Sequence, residues 1–404
     1  MPATPMPRRL SGIQIGQSPG QRRVELGPDE AFTTMVPVDF SHGDVDAFPP
    51  HPGAAPAFNA ALAEGGSAAY TRYRGNAEVR AGLAQRLAEL TGAPIDPERE
   101  LIITPGTQAG LFLGLSSLVE QGDRVGIVEP DYFANRRIVQ FLGGEIVAVR
   151  LDLAGESARP LDVGALRQTM REAGARVLCL SNPNNPSGYV FEPGTVSELA
   201  DMAINDDVFV VMDQLYSRQL FTDRPYAHLR SYPGMSQRCL TLMGPSKTES
   251  LSGYRIGTAI GPDWLIDRME AVLSIACLRA PGYSQRVLDT WLNEEPGWLE
   301  ERVAAHREIR DRILKTLELL PGARVRTPEG GSYLFVQLPP LPIPVPEFLH
   351  TLAQRDGVMV TPGTEFGPGF DDFFRINFSQ DADAAVAAVE RLVTLANDLL
   401  SSGR

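Results

Sequence analysis

Short, continuous apolar runs, each closed by a polar or glycine-rich turn, alternate with helical patterning through the first two thirds of this chain. The runs are LIITPG from residue 101, DRVGIVEPDY (123–132), GEIVAVRLD (144–152), ARVLCLSNPNNPSG (175–188), DVFVVMDQLY (207–216) and RCLTLMGPSK (238–247). Between strands the period changes. In NAEVRAGLAQRLAELT (76–91), Val79, Leu83, Leu87 and Leu90 recur at three- and four-residue steps, which predicts an amphipathic helix. The strand runs do not alternate polar with apolar, so their sheet is covered on both faces. Strands separated by helices form βαβ units, and the fold class is α/β with a mostly parallel sheet.

The polar closures of those runs carry the chemistry. In open α/β sheets, ligands bind outside the carboxyl ends of the strands. Gly106–Thr107, Tyr132, Asn185, Asp213 and Lys247 all fall there. Lys247 follows the apolar run CLTLM among small residues, which suggests a cleft rather than a solvated surface. A desolvated lysine deprotonates readily and forms Schiff bases with aldehydes. Asp213 closes VFVVMD, and a carboxylate there must be paired. Two readings stay open for it: a helix N-cap, or a partner for a protonated heterocyclic nitrogen. SNPNNPSG is a turn stiffened by two prolines and a glycine, presenting Asn amides.

The remaining third differs in character. WLEERVAAHREIRDRILKTLELL (298–320) predicts one long amphipathic helix. ARVRTPEGGSYLFVQLP, GVMVTPG and FFRINFS then suggest a small α+β domain, and the Pro-rich 338–348 reads as a turn or edge segment. Residues 1–36 read as an irregular arm, mobile or partner-clasping. The expected division is 1–45 for this arm and part of the small domain, 46–295 for the large domain, and 296–404 for the small domain. A net charge of −13 over 404 residues lacks the footprint of a nucleic-acid binder and disfavours an anionic membrane. No run reaches the ~18 apolar residues of a membrane span, and residues 1–16 lack a secretory apolar core. The expected location is the cytoplasm. Three scattered cysteines supply neither a disulfide framework nor a metal site, and Cys179 within VLCL reads as core.

Taken jointly, NPNNPSG (182–188), DQLY (213–216), SKTESLSGYRIG (246–257) and FRINFS (374–379) resemble the class I/II aminotransferases of the fold-type I pyridoxal phosphate enzymes. AYTRYRGNAEVR (69–80), TPGTQAG (104–110), EPDY (129–132), PEGGSYLF (328–335) and VTPGTEFG (360–367) add weaker matches in the same order. The resemblance spans roughly 36–395. It implies a large domain with a mostly parallel seven-stranded sheet between helices, plus a smaller α+β domain. The implied cofactor is pyridoxal 5′-phosphate, with Lys247 as its aldimine lysine and acid–base group. Asp213 is implied to hold the ring nitrogen protonated, favouring a quinonoid carbanion. Asn185 and Tyr216 are implied to bond the ring O3′, and Tyr132 to stack on the ring. Gly106, Thr107, Gln108, Ser246 and Arg255 are implied to bind phosphate, with Tyr70 reaching across from a partner subunit of a homodimer. Arg375 is implied to clamp the substrate α-carboxylate, near Asn185 and the Gly43 backbone. From the residues alone, Tyr132 could equally be core, Thr107 a helix cap and Arg375 half of a buried ion pair.

The implied reaction moves an amino group between an L-amino acid, favoured as aspartate- or glutamate-like, and a 2-oxo acid. One departure is Gly244, three before the lysine, where many relatives carry a phosphate-binding serine. Ser246 or a water could replace that contact. Arg279 and Tyr283 are candidates for the distal part of the substrate, from their own or the neighbouring subunit, Arg279 as a cation favouring an acidic side chain. A rival on the same scaffold is γ-elimination, replacement or cyclisation of an S-adenosylmethionine-type substrate, because the same lysine and aspartate serve it. A non-catalytic regulator is disfavoured, since both residues are present and no basic helix-turn-helix precedes them.

Overall fold

The computed structural model describes residues 37–43, 45–153 and 159–402; the expected arm over 1–36 lies outside the described residues. Its centre is a seven-stranded sheet. In chain order the strands are β2 (Leu101–Thr104), β3 (Arg124–Glu129), β4 (Glu145–Arg150), β5 (Val177–Ser181), β6 (Phe209–Asp213), β7 (Cys239–Met243) and β8 (Gly257–Ile260). A short β1 (Val38–Asp39) precedes them. The spatial order is β2-β8-β7-β6-β5-β3-β4. Strands β3 to β7 pair in parallel, while β8 runs antiparallel between β2 and β7. The sequence pattern assigns no strand to GTAI. Four residues are too few to show a period, and their strand character comes from burial between two neighbours.

The continuous apolar runs divide between two cores. Leu178, Leu180, Val210 and Met212 face one side of the sheet. Cys179, Val211, Leu240 and Leu242 face the other. Successive strand residues point to opposite faces, so a sheet covered on both sides needs every position apolar. Cys179 is core, as its flanks suggest. The helix predicted over 76–91 spans Ala77–Thr91, and the side chain of Asn76 caps its first turn.

The C-terminal third builds an antiparallel sheet of order β12-β13-β10-β9, from β9 (Arg324–Val325), β10 (Tyr333–Gln337), β12 (Thr361–Pro362) and β13 (Phe373–Asn377). β1 pairs in parallel with β11 (Val358–Met359), which ties the segment at residue 38 to this part of the molecule. The helices Trp298–Leu317 and Ala382–Ser402 pack together over a third core that contains Leu334, Val336, Phe374 and Ile376. The Pro-rich stretch is not all turn or edge. The helix Val345–Asp356 begins inside it, with a proline in the first turn, where a missing N–H loses no helical bond. Among the described residues, no helix is long and apolar enough to cross a membrane.

Candidate active site

Six of the seven strands end at one edge of the sheet. The antiparallel β8 begins at that same edge, so residues just before it join those just after the others. Thr104 of β2 lies opposite Gly257 of β8, which brings Gly106 and Arg255 together. Gly106 has φ 80°, and a Cβ there would lie 2.6 Å from Nη2 of Arg255. The backbone conformation favours glycine, and its missing side chain leaves the guanidinium room. The helix Thr107–Leu118 starts immediately afterwards, with its free N–H groups at the mouth of a cavity of about 160 Å³. A Cβ at Gly257 would lie 2.4 Å from the Thr107 nitrogen, so a second glycine lets this helix start settle against β8.

Lys247 reaches the same cavity from the turn after β7. From Cys239 to Leu251 every residue is buried except Lys247, so this cation projects alone from a buried run. The backbone around it is closed by bonds from Ser250 N to Lys247 O (3.1 Å) and from Leu251 N to Pro245 O (3.0 Å). Glu249 in this turn is held by Arg218, which also bonds Glu294 at 2.8 Å. Burial still pushes the Glu249 carboxyl up to about 7.

Asp213 ends β6 and lines the cavity. Its carboxylate accepts from Leu215 N at 3.0 Å. Burial raises it to about 6, against the opposing pull of that N–H and of the Lys247 charge. A helix cap does not explain it, because no helix starts at this position. Tyr216 follows on the same turn, and its hydroxyl lies 2.6 Å from that of Tyr333 on β10. Tyr132 lines the wall, with its hydroxyl donating to Gln108 at 3.0 Å. It therefore does more than fill the core.

Asp131, which the sequence reading passed over, organises two of these turns. Its carboxylate accepts from Tyr132 N (2.7 Å), Ser181 N (3.1 Å), Asn135 Nδ2 (3.0 Å) and the Ser181 hydroxyl. Ser181 Oγ in turn accepts from Asn185 N at 3.1 Å. Burial pushes Asp131 up to about 8 even with those donors. The available signal was an acid beside Tyr132 at the end of an apolar run, which marks a buried and therefore partnered group.

A second, wider cavity of about 590 Å³ adjoins the first, and Lys247, Tyr216, Ser246 and Tyr333 line both. Arg375 of β13 lines the wider one and is 6% exposed. It donates to Asn185 Oδ1 (3.1 Å), Ser41 O (2.8 Å) and Thr361 Oγ1 (3.3 Å), while its Nε has no partner. Its guanidinium lies 4.2 Å from the Tyr333 ring centroid and 5.0 Å from that of Phe366. Among the described residues it has no carboxylate partner, so the ion-pair alternative does not hold. A buried, uncompensated guanidinium facing a cavity is a site for an anion. Gly43 lies on the same wall.

The chain matches the family described as aminotransferase class I and II over residues 37–392. It belongs to the class I and II aminotransferases. An arginine–pyruvate transaminase of Pseudomonas aeruginosa is 30% identical over 379 residues, covering 94% of this chain and 93% of that one. An aspartate aminotransferase of Musicola paradisiaca is 28% identical over 338 residues, covering 83% of each. A crystal structure of an aspartate aminotransferase from Rhodobacter sphaeroides superposes with TM-score 0.89 at 48% identity, covering 93% of this chain and 96% of that one. The neighbours share the fold-type I architecture expected from the sequence, and the transamination reading stands over the elimination or cyclisation rival.

The donor set of this aminotransferase fits a phosphate-bearing cofactor. Thr107 Oγ1 is buried without a partner beside Arg255 and the free N–H groups of the helix start. A Cβ at Gly244 would fall 2.7 Å from that hydroxyl, so the threonine occupies the space a side chain at 244 would need. Two expected contributors stand apart. Tyr70 is 81% exposed and lines neither cavity. Arg279 donates to Thr71 O and lies over the rings of Tyr70 and Tyr73, at 5.6 and 5.2 Å. Neither Arg279 nor Tyr283 is among the described residues that line these two cavities, so the expected contact with the distal end of a substrate is not seen within one subunit.

Proposed function

We propose that this aminotransferase binds pyridoxal 5′-phosphate in the narrower cavity and an amino acid or 2-oxo acid in the wider one, with aspartate or glutamate as the amino donor. When bound, the cofactor supplies an aldehyde for Schiff-base chemistry and a ring that accepts electron density. The observation that carries the reading is Lys247, exposed at the junction of the two cavities, between Asp213 on one side and the unpaired Arg375 on the other.

In this reading Lys247 takes the proton from the substrate Cα and later returns it, a transfer worth roughly 10²–10⁴-fold. Asp213 pairs with a cationic ring nitrogen, which draws its carboxyl back towards full ionisation. Asn185 and Tyr216 bond the ring oxygen, and Tyr132 covers the ring face. The N–H groups of Thr107 and Gln108, together with Ser246 and Arg255, hold the phosphate, whereas the Gly106 N–H expected from the sequence is spent on Thr104 O at 2.7 Å, leaving that glycine to shape the turn. Arg375 grips the α-carboxylate with Nε and its outer N–H groups, steadied by Asn185, and the Gly43 backbone lies beside the same carboxylate. The acidic donor is supported by the Rhodobacter neighbour, which is the more identical of the relatives described above.

The exposure of Tyr70 supports a homodimer in which this tyrosine reaches the partner's phosphate. Leu62, Tyr73, Ile275 and Leu278 are exposed on the neighbouring elements, and such a patch seeks a partner. Mixing the Lys247→Ala and Tyr70→Phe variants tests this. Heterodimers would regain one intact site, about a quarter of all sites in an equal mixture. No regain of activity would place Tyr70 in its own subunit or outside the reaction.

The test of the main reading is to load the purified protein with pyridoxal 5′-phosphate and add single amino acids. Glutamate or aspartate should release 2-oxo acid and convert the bound cofactor to its amine form. Conversion by arginine but not by the dicarboxylates would move the assignment towards the Pseudomonas relative. A protein that takes up no cofactor would overturn the reading.

A further inference from the structure

Among the described residues, fifteen line the narrower cavity; fourteen of them come from the seven-stranded sheet and its connections, and Tyr333 comes from the antiparallel sheet. It sits on β10 directly beside β13, which carries Arg375 two residues from its own pairing partner, Asn377. It is 4% exposed and touches the groups that matter on both sides. Its ring lies beneath the Arg375 guanidinium at 4.2 Å. Its hydroxyl lies 2.6 Å from the Tyr216 hydroxyl, and the two rings meet edge to face at 5.3 Å. Its buried hydroxyl is spent on another phenol inside the site.

We propose that Tyr333 is a positioning residue that links the carboxylate-binding Arg375 to Tyr216, so that occupancy of the arginine alters the proton held at Tyr216. The inference rests on the cofactor reading above and deepens it. If Tyr216 donates to the cofactor, its oxygen is left as an acceptor, and Tyr333 is the donor in reach. That bond polarises the Tyr216 O–H and makes it a better donor in turn. An unfilled Arg375 places a full positive charge under the Tyr333 ring. A bound carboxylate neutralises that charge and weakens Tyr333 as a donor.

The charged and titratable groups facing the two phenols are Lys247, Asp213, Arg375 and the Tyr132 phenol, which lines both cavities. Lys247 and Arg375 pull Tyr333 below the ordinary phenol range, whereas burial holds Tyr216 well above it.

The test uses the cofactor-loaded protein and its Tyr333→Phe variant, which keeps the ring and removes only the hydroxyl. The readout is the pH midpoint of the bound cofactor's absorbance change, with and without propionate, a carboxylate with no amino group. In the unaltered protein propionate should raise the midpoint. In Tyr333→Phe the midpoint without propionate should already be higher by about 0.5–1 pH unit, the net worth of one hydrogen bond. The propionate response should shrink, and kcat should fall more than KM rises. Val336→Ala, on the opposite face of β10 in the core, is the packing control and should lower the melting temperature without moving the midpoint. A Tyr333→Phe protein with an unchanged midpoint and propionate response would overturn the inference while leaving the cofactor reading intact. Failure of the unaltered protein to take up cofactor would remove both.

Discussion

The two halves of the site are built by different means. The cofactor half is a sheet edge: Asp213 ends the strand that positions it, and Thr107, Tyr132, Asn185 and Lys247 each follow theirs. The carboxylate half is assembled from remote pieces. Arg375 comes from the middle of β13, Tyr333 from β10, Thr361 from β12, and Ser41 from the loop after β1. A residue at a strand end owes its position to one strand. A residue in mid-strand owes its position to the register of its neighbours. The first kind of site should therefore lose single functions when mutated, and the second should lose geometry shared among several groups.

The sharpest break is on the cofactor side. Lys247→Ala should reduce transamination by ~10²–10⁴-fold or more, measured as 2-oxo acid release, because among the described residues no other amine or carboxylate lines both cavities. Cofactor retention, followed by gel filtration and absorbance, should survive, since the phosphate cup does not include the lysine. Loss of retention would show that this half is less modular than its construction implies.

On the carboxylate side, Arg375→Lys should raise KM for the amino acid by about 10–100-fold, in line with about 1.5–3 kcal/mol for charge-assisted bonds. Lysine keeps the charge but not the planar fork, and cannot hold Asn185, Ser41 and Thr361 at once. Cofactor affinity should change as well, modestly, through Asn185 and the Tyr333–Tyr216 pair. A pure KM effect with an unaltered cofactor would mean the two halves are independent.

This contrast also explains what was legible in the sequence. Lys247 and Asp213 stood out because a polar residue closing an apolar run is conspicuous and strand order is not needed to place it. Tyr333 in SYLFVQ was invisible, since an aromatic within a strand looks like core until its register with β13 is known. Asp131 was overlooked because its role is fixed by Ser181, fifty residues away. Arg375 was legible as a buried cation, but only the structure removes a structural carboxylate from its surroundings. GTAI escaped as a strand because its place in the sheet comes from β2 and β7 rather than from its own pattern. The Pro-rich segment misled because prolines in a first helical turn and prolines in a loop look alike.

Asp213 makes the cofactor half sensitive to pH. Burial places its folded-state pKa near 6, above the ordinary 3.8. Ionising it therefore costs the cofactor-free protein stability as pH rises through the window from about 4 to 6. A cationic ring nitrogen offsets that loss. Added cofactor should accordingly raise the melting temperature more at pH 7.5 than at pH 5, with affinity falling by up to about tenfold per unit below pH 6. Asp213→Asn should flatten this dependence. An equal thermal shift at both pH values would mean that the ring nitrogen is not bound as a cation.

The smallest effect concerns a single hydroxyl in the phosphate cup. The sequence raised the concern that Gly244 leaves a contact missing, with Ser246 as the substitute. In the structure Thr107 Oγ1 is buried, unpartnered and lodged where a side chain at 244 would sit. Thr107→Val preserves shape and removes the hydroxyl. Cofactor affinity should fall about 3–10-fold, one net hydrogen bond, while affinity for pyridoxal without its phosphate should not change. The double variant Thr107→Ala with Gly244→Ser should recover much of the loss, because removing the threonine side chain opens the space that a serine at 244 needs. Gly244→Ser alone should be worse than either, since its Cβ would press on the threonine hydroxyl. If Thr107→Val binds both forms of the cofactor normally, the contact belongs to Ser246, and the cup depends on the lysine turn rather than on the start of the helix Thr107–Leu118.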